Sequence, residues 1–443
     1  MSERRKKATP AKPGRPTKPG KPAWLSRNVW TLSWVSLLQD AAGEMLYPLM
    51  PVFLNTVLGA PAAVIGIIEG AAEGTMAFIK LISDKLNKFL PRKLMVFSGY
   101  AGAATGSLII ATALTWPVVL VGRVVDRLGK GLRSAPRDAI LMRNTEPRAR
   151  GRIIGFHRSM DTAGAVVGPV LALMLLALFD DNLRVVLWWA VVPSVAAMLL
   201  VLLIKDGGMR PGRARSGTAD EPSSDQGTLD ASQNGVSSTD PLPPKLRRLI
   251  SMLAIFSLVN FPDALLLFHL SLRGFSATEV VAAYLVFNIA YGLLSFPAGM
   301  LADRIGSKYV YAFGLLCFAV TYGGLALTDD VFVGFALMVV YGGFSAANDT
   351  VGKSWAAKLA PSHLQLKAQA RLQGFSGFGI LIAGIWAGLA WNAGAGLTFG
   401  AAHGSLVNLG DGGVPMLIAA GFAILVAVYV AIFAPRSGFA ATR

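Results

Sequence analysis

The sequence predicts an all-α membrane protein, with twelve transmembrane helices in two pseudo-symmetric six-helix bundles. Three observations carry that prediction. Of the 443 residues 53% are hydrophobic and only 15% charged, whereas ordinary soluble domains carry about 25% charge. Twelve apolar segments can be placed, at 29–53, 61–82, 94–114, 117–138, 153–178, 183–204, 249–271, 278–301, 309–328, 331–355, 370–392 and 413–434; crossing a ~30 Å hydrocarbon core takes about 20 such residues. Between the sixth and seventh lies 206–244, rich in Ser, Gly, Pro and Asp, which cannot bury a core and so divides six helices from six.

Residues 1–28 hold nine Lys/Arg, five prolines and one Glu, the composition of a disordered basic tail. The first apolar segment is long and carries Asp40 and Glu44, so it is expected to be retained as a span, not removed as a signal peptide. The bundles are expected at 29–205 and 249–434, joined by a flexible linker at 206–248 and followed by a short tail at 435–443.

Orientation follows from the short loops. Lys85, Lys88, Arg92 and Lys93, then Arg143, Arg148, Arg150 and Arg152, then Arg304 and Lys308, then Lys358 and Lys367 fall on the side of the basic tail. The other side has only Arg184 and Arg273, among Asp180, Asp181, Glu279, Asp329, Asp330 and Asp411. Both termini and the linker are therefore expected in the cytoplasm, with the chain in the bacterial inner membrane. The net charge of +16 is then explained by the positive-inside rule, without a nucleic-acid partner.

The two halves echo one another. LISDKLNKFLPRKLMVFSGY from Leu81 aligns with MLADRIGSKYVYAFGLLCF from Met300, setting Asp84 opposite Asp303. GKGLRSAPRDAIL of the fourth helix aligns more weakly with NDTVGKSWAAKLA of the tenth. Two related halves form the pattern of a secondary transporter.

The stretch Gly299–Lys308, GMLADRIGSK, and its first-half copy SDKLNKFLPRK from Ser83 resemble the loop motif of the major facilitator superfamily, and Gly164–Pro169 resembles that family's antiporter motif without its trailing Gly-Gly. The resemblance covers about 29–434 and implies the twelve-helix fold of that family and transport by alternating access. RVVDRLGKGLRSAPRDA from Arg123, GFHRSMD from Gly155 and EMLYPLMP from Glu44 resemble a bacterial subgroup mostly of unassigned substrate. A few members of that subgroup are associated with iron handling, which adds a divalent-metal porter as an alternative.

Charges inside spans are costly and mark function. Asp40 and Glu44 lie one turn apart on the first helix, as do Glu69 and Glu73 on the second and Arg123 and Arg127 on the fourth. At 1.5 Å per residue Asp40 lies about 18 Å from the tail side and Arg123 about 20 Å, so these two are expected to pair. Arg127, left unpaired, would be an anion site, since guanidinium binds carboxylate or phosphate with two prongs. The four carboxylates are candidate proton carriers. Asp263, following Pro262 in the seventh helix, is the expected second-half substrate contact. Asp126, Lys130, Arg133, Arg137, Asp138, His157, Arg158 and Asp161 are expected to form an inner-gate network; Asp84, Asp303, Arg304 and the pair Asp349 and Lys353 complete it.

Other chemistries find no support. The single cysteine, Cys317, excludes internal disulfides, and His157, His269, His363 and His403 are scattered, so neither a metal centre nor a cofactor is expected. Gly129-Lys130-Gly131 lacks the remainder of a phosphate loop, and HExxH and GxSxG are absent, which argues against an enzyme. The expectation is a monomer in the lipid bilayer, moving a small anionic or zwitterionic solute, proton-coupled, with efflux favoured. The contrasting reading is a non-transporting membrane receptor or assembly partner of the same fold.

Overall fold

The computed structural model describes residues 25–86, 90–141, 147–204, 241–361, 364–394, 398–400, 406–408 and 410–435. The basic tail to residue 24, 205–240 of the linker and the tail after 435 lie outside the described residues.

The first span is α1 (Arg27–Leu46) continued by α2 (Met50–Val52) and a π-helical turn at Phe53–Val57. Ser26 caps it, its hydroxyl accepting from the Val29 amide at 3.3 Å. Then follow α3 (Ala62–Leu86), α4 (Arg92–Ala111), α5 (Trp116–Leu141), α6 (Pro147–Leu178) and α7 (Leu183–Val201). The second half opens with α8 (Pro244–Ser257), so the last residues assigned to the linker are already helical. Next come α9 (Asp263–Leu272), α10 (Ala277–Ile305), α11 (Ser307–Leu327) and α12 (Val331–Ser345). A π-helical stretch at Ala346–Gly352 leads into α13 (Lys353–Leu359), and α14 (Gln365–Leu389) and α15 (Gly413–Phe433) complete the set.

Among the described residues nine helices are long and apolar enough to cross a membrane. The first, fourth and seventh expected spans are not among them. Charge interrupts α1 and α5, and a break at Leu258–Pro262 divides the seventh span into α8 and α9. Pro262 explains that break: it has no amide hydrogen to give a continuing helix, and the residue before it is pushed out of the helical region. Between α14 and α15 two three-residue strands, β1 (Thr398–Gly400) and β2 (Leu406–Asn408), pair antiparallel, a feature the hydropathy pattern does not announce.

Helices surrounded by hydrocarbon gain little from hiding apolar surface, so they associate by close backbone approach. Glycines supply it here. Gly164 and Gly168 of α6 lie against Leu37 and Ala41 of α1, where a Cβ at Gly164 would stand 2.6 Å from the Leu37 carbonyl oxygen. That packing accounts physically for two glycines of the antiporter-like motif. The halves meet in the same way, with Gly66 and Gly70 of α3 set against Gly384 and Leu381 of α14, and Gly388 against Ala63.

At the face opposite Arg27, α2 and α3 touch α9, and the Thr278 hydroxyl donates to Asp181 at 3.0 Å. The halves are closed there. Outward positions carry large exposed apolar side chains such as Leu293, Phe296, Phe332 and Leu425, the surface a bilayer covers.

Gly164→Val is expected to cost about 1–3 kcal/mol through overpacking against α1. Gly43→Ala, at a helical glycine with nothing within 4 Å of the added carbon, is expected to be neutral or stabilising. Thermal unfolding in detergent separates the two, and equal melting points would remove the close α1–α6 approach.

Candidate functional site

The fourth span delivers its charges to the second. Arg123 and Glu69, 4% and 1% exposed, face each other in a two-pronged pair, with Nε donating to Oε1 at 2.8 Å and Nη2 to Oε2. One turn on, Arg127 meets Glu73 at 3.3 Å. Both findings correct the sequence reading. Arg123 does not pair with Asp40, because α3 lies along α5 whereas α1 touches α5 only locally; equal depth does not bring two helix faces together. Arg127 is not left open for an anion, since Glu73 occupies it, although its Nε is buried without a hydrogen-bond partner among the described residues. Asp126 sits 3.9 Å from Arg123 as a weaker neighbour.

The first-helix carboxylates are placed differently. Glu44 reaches across to the second half, accepting a hydrogen bond from the Tyr284 hydroxyl of α10 at 2.5 Å. Tyr284 in turn packs on Tyr47, the ring that Arg123 overlies at 5.6 Å. Asp40 lies among Lys130 and Arg133 of α5 and Asp161 of α6, whose charges act on it.

Towards the Arg27 face Asp161 accepts from the Ser36 hydroxyl, and Arg137 donates to the same Ser36 oxygen at 3.2 Å. His157 stands 3.8 Å from Asp161 and 3.4 Å from the Ser33 hydroxyl. Arg137 also touches Asp138 at 3.2 Å. These contacts all stay within the first half. Arg133 turns the other way, donating to the Gly99 carbonyl at 3.2 Å and lying over Tyr100 on α4. Arg158 and Arg304 are exposed. Asp84 ends α3 with its side chain outside the described residues.

In the second half Asp349 and Lys353 pair at 3.5 Å, and Tyr291 donates to Asp349 at 3.3 Å. Asp303 takes Lys358 of α13 at 2.5 Å. Asp263 accepts from Tyr341 at 2.6 Å. A cavity of about 260 Å³ opens between the halves, bounded by α3, the α8 end of the seventh span, the π-helical stretch of the tenth and α14. Its polar wall includes Glu73, Lys80, Asn260, Asn348, Asp349, Lys353 and Gln373, with the hydroxyls of Ser257 and Ser376. Of the seven residues expected to bind substrate or protons, Glu73 alone lines this cavity; Asp349 and Lys353, expected at the gate, line it too. Asn260 occupies the break after α8 and Asp349 the π-helix, so two irregular backbone segments face the same space. Unwound or widened helix inside a membrane is tolerated where it borders a cavity, and π-turns recur at functional sites.

A family model described as the Major Facilitator Superfamily matches residues 32–287 and again 248–442. The chain belongs to the major facilitator superfamily. That membership makes it a multi-pass membrane protein of a transporter family, not an enzyme. It is 27% identical to an uncharacterised MFS-type transporter of Methanocaldococcus jannaschii over 403 residues, 88% of this chain and 94% of that one. A 148-residue stretch, 33% of this chain and 37% of the relative, is 32% identical to the multidrug resistance protein MdtH of Aeromonas hydrophila. In fold it resembles the nucleoside transporter NupG (TM-score 0.68, 15% identity, 92% and 98% of the two chains). A D-xylose-proton symporter superposes as well (TM-score 0.68, 14% identity, 92% and 98%).

Sequence reasoning missed Ser33, Ser36, Gln373 and Tyr341 as partners of buried charge. Single hydroxyls and amides in apolar helices carry no spacing signal. Glu69→Gln, which strands a buried guanidinium, is expected to lose about 3–5 kcal/mol. Asp40→Asn should add independently to Arg123→Gln in unfolding measurements, and strong coupling between those two would restore the rejected pair.

Proposed function

We propose that the protein is a secondary active transporter that moves a small anionic or zwitterionic solute by alternating access, with protons as the coupling ion. In this reading the chain works as a monomer in the bacterial inner membrane, with both termini in the cytoplasm and the cavity facing that side.

The Glu44–Tyr284 hydrogen bond carries the proposal. It ties a half-buried carboxylate of one half to a hydroxyl of the other, close to where the halves are closed. A carboxylate accepts a stronger hydrogen bond than a carboxylic acid does. Proton uptake at Glu44 therefore weakens a contact between the halves, which couples protonation to their separation. Asp40, one turn away, and Asp161 beyond it supply carboxylates towards the Arg27 face. Within the first half the two Arg–Glu pairs hold α3 to α5, so that it moves as a unit.

Export is favoured by the resemblance of Gly164–Pro169 to the antiporter motif, and assignment to the bacterial subgroup by the stretches around Arg123 and Gly155. Among the described residues no three His, Cys, Asp or Glu side chains converge as metal ligands. The donor set therefore favours an organic solute over a divalent ion.

In proteoliposomes, solute flux is expected to rise with an imposed pH gradient and to collapse with a protonophore. Tyr284→Phe, which removes the hydroxyl and keeps the ring, should slow gradient-driven flux at least tenfold while leaving solute binding intact. Flux indifferent to the pH gradient would overturn proton coupling.

A further inference from the structure

The cavity wall has an internal order that the transport reading does not use. On α3 the acid Glu73 precedes the base Lys80 by seven residues, and that helix runs towards the Arg27 face. In the tenth span Asp349 precedes Lys353 by four residues, running the same way. On both walls, then, the acid precedes the base along a helix running towards that face, about 10 Å apart on α3 at 1.5 Å per residue and with the charged groups meeting at 3.5 Å in the tenth span. The lining balances two acids with two bases, so it offers no net charge to a simple anion or cation.

These ion pairs differ from the deep one. Arg123 grips Glu69 with two prongs, and both are almost wholly buried. Glu73 and Arg127 approach to 3.3 Å, and Asp349 and Lys353 to 3.5 Å, with about half of the Lys353 side chain exposed. Contacts this long leave lone pairs and N–H groups available to a guest. At the deep end the Asn260 amide oxygen is buried without a hydrogen-bond partner among the described residues, an acceptor waiting for a donor. Among the described residues the lining includes no aromatic side chain, which removes the stacking surface that a nucleobase or sugar ring would use. The volume, about 260 Å³, falls below the ~300–1,000 Å³ of pockets for drug-sized ligands.

We propose that this cavity binds a small amino-acid-like zwitterion, with its ammonium group deep against Glu73, Asp349 and the Asn260 oxygen and its carboxylate towards Lys80 and Lys353. The inference deepens the transporter reading by naming the class of cargo, and rests on that reading only in treating the ligand as cargo. Asn260 makes the specificity sharper than charge alone, because it demands an N–H. A quaternary betaine carries the same charges without that donor.

The test is thermal unfolding of the full-length protein in detergent against four sets of probes at equal concentration: the proteinogenic L-amino acids, glycine betaine, propionate with succinate, and ethylamine with butylamine. The amino acids are expected to raise the melting point. Betaine and the singly functional probes should need at least tenfold higher concentration for the same shift. Asn260→Leu should weaken amino-acid binding at least tenfold, and Asn260→Asp, which keeps an acceptor, should preserve it. Equal stabilisation by betaine, carboxylates or amines, or none by the amino acids, overturns the proposal on wild-type protein whether or not the variants fold. Flux is read separately. An amino acid that binds but is not moved in proteoliposomes would sink the transport reading and leave the site standing, whereas proton-driven flux of another solute without amino-acid binding would do the reverse.

Discussion

A guanidinium held at the hydrocarbon depth of a bilayer has to be met by a carboxylate, and at Arg123 that requirement organises the first half of the molecule. Water cannot solvate the charge there, and leaving it alone would cost several kcal/mol. Glu69 meets it with both oxygens, which sets α3 against α5 in both depth and rotation. The next turn repeats the arrangement more loosely with Arg127 and Glu73. Because the acids at 69 and 73 and the glycines at 66 and 70 form neighbouring rows on α3, fixing one row aims the other. The carboxylates face α5 while the glycines face α14 of the other half. A single electrostatic demand thus also positions the contact between the halves.

The second half solves a different problem, that of keeping polar groups at mid-membrane without locking them together. It interrupts its helices. The Leu258–Pro262 break presents Asn260, and the π-helical stretch presents Asn348 and Asp349. The result is an asymmetric molecule: charge is tightly paired on one side of the interface and loosely held on the other.

Much of this was legible beforehand. Segment lengths give helix boundaries within a few residues for most of the described helices, nine of which are long and apolar enough to cross a membrane. The spacing of Asp349 and Lys353 is enough to pair them. What failed was the step from depth to partner. Counting residues places Asp40 and Arg123 at one level, but it carries no information about which helix faces which, and that is decided by where glycines allow backbones to touch. Gly66, Gly70, Gly164 and Gly168 held that information, which a reading centred on charged residues passes over. The π-helix is marked only by a polar run, Asn348-Asp349-Thr350, at the end of the apolar α12, and such a run reads equally well as a helix end.

The line where α3 meets α14 is built largely of small residues, Gly66 against Gly384 and Ala63 against Gly388, with Leu381 seated over Gly70 and Gly74. Interdigitated surfaces have notches, and sliding them means lifting every tooth out before it seats in the next. This seam has few teeth, Leu381 among them, so little side-chain rearrangement stands in the way of a tilt. Discrete stops must then come from elsewhere, and the polar bonds across the interface, Glu44 with Tyr284 and Lys80 with Gln373 at 3.2 Å, are set as latches on an otherwise smooth hinge.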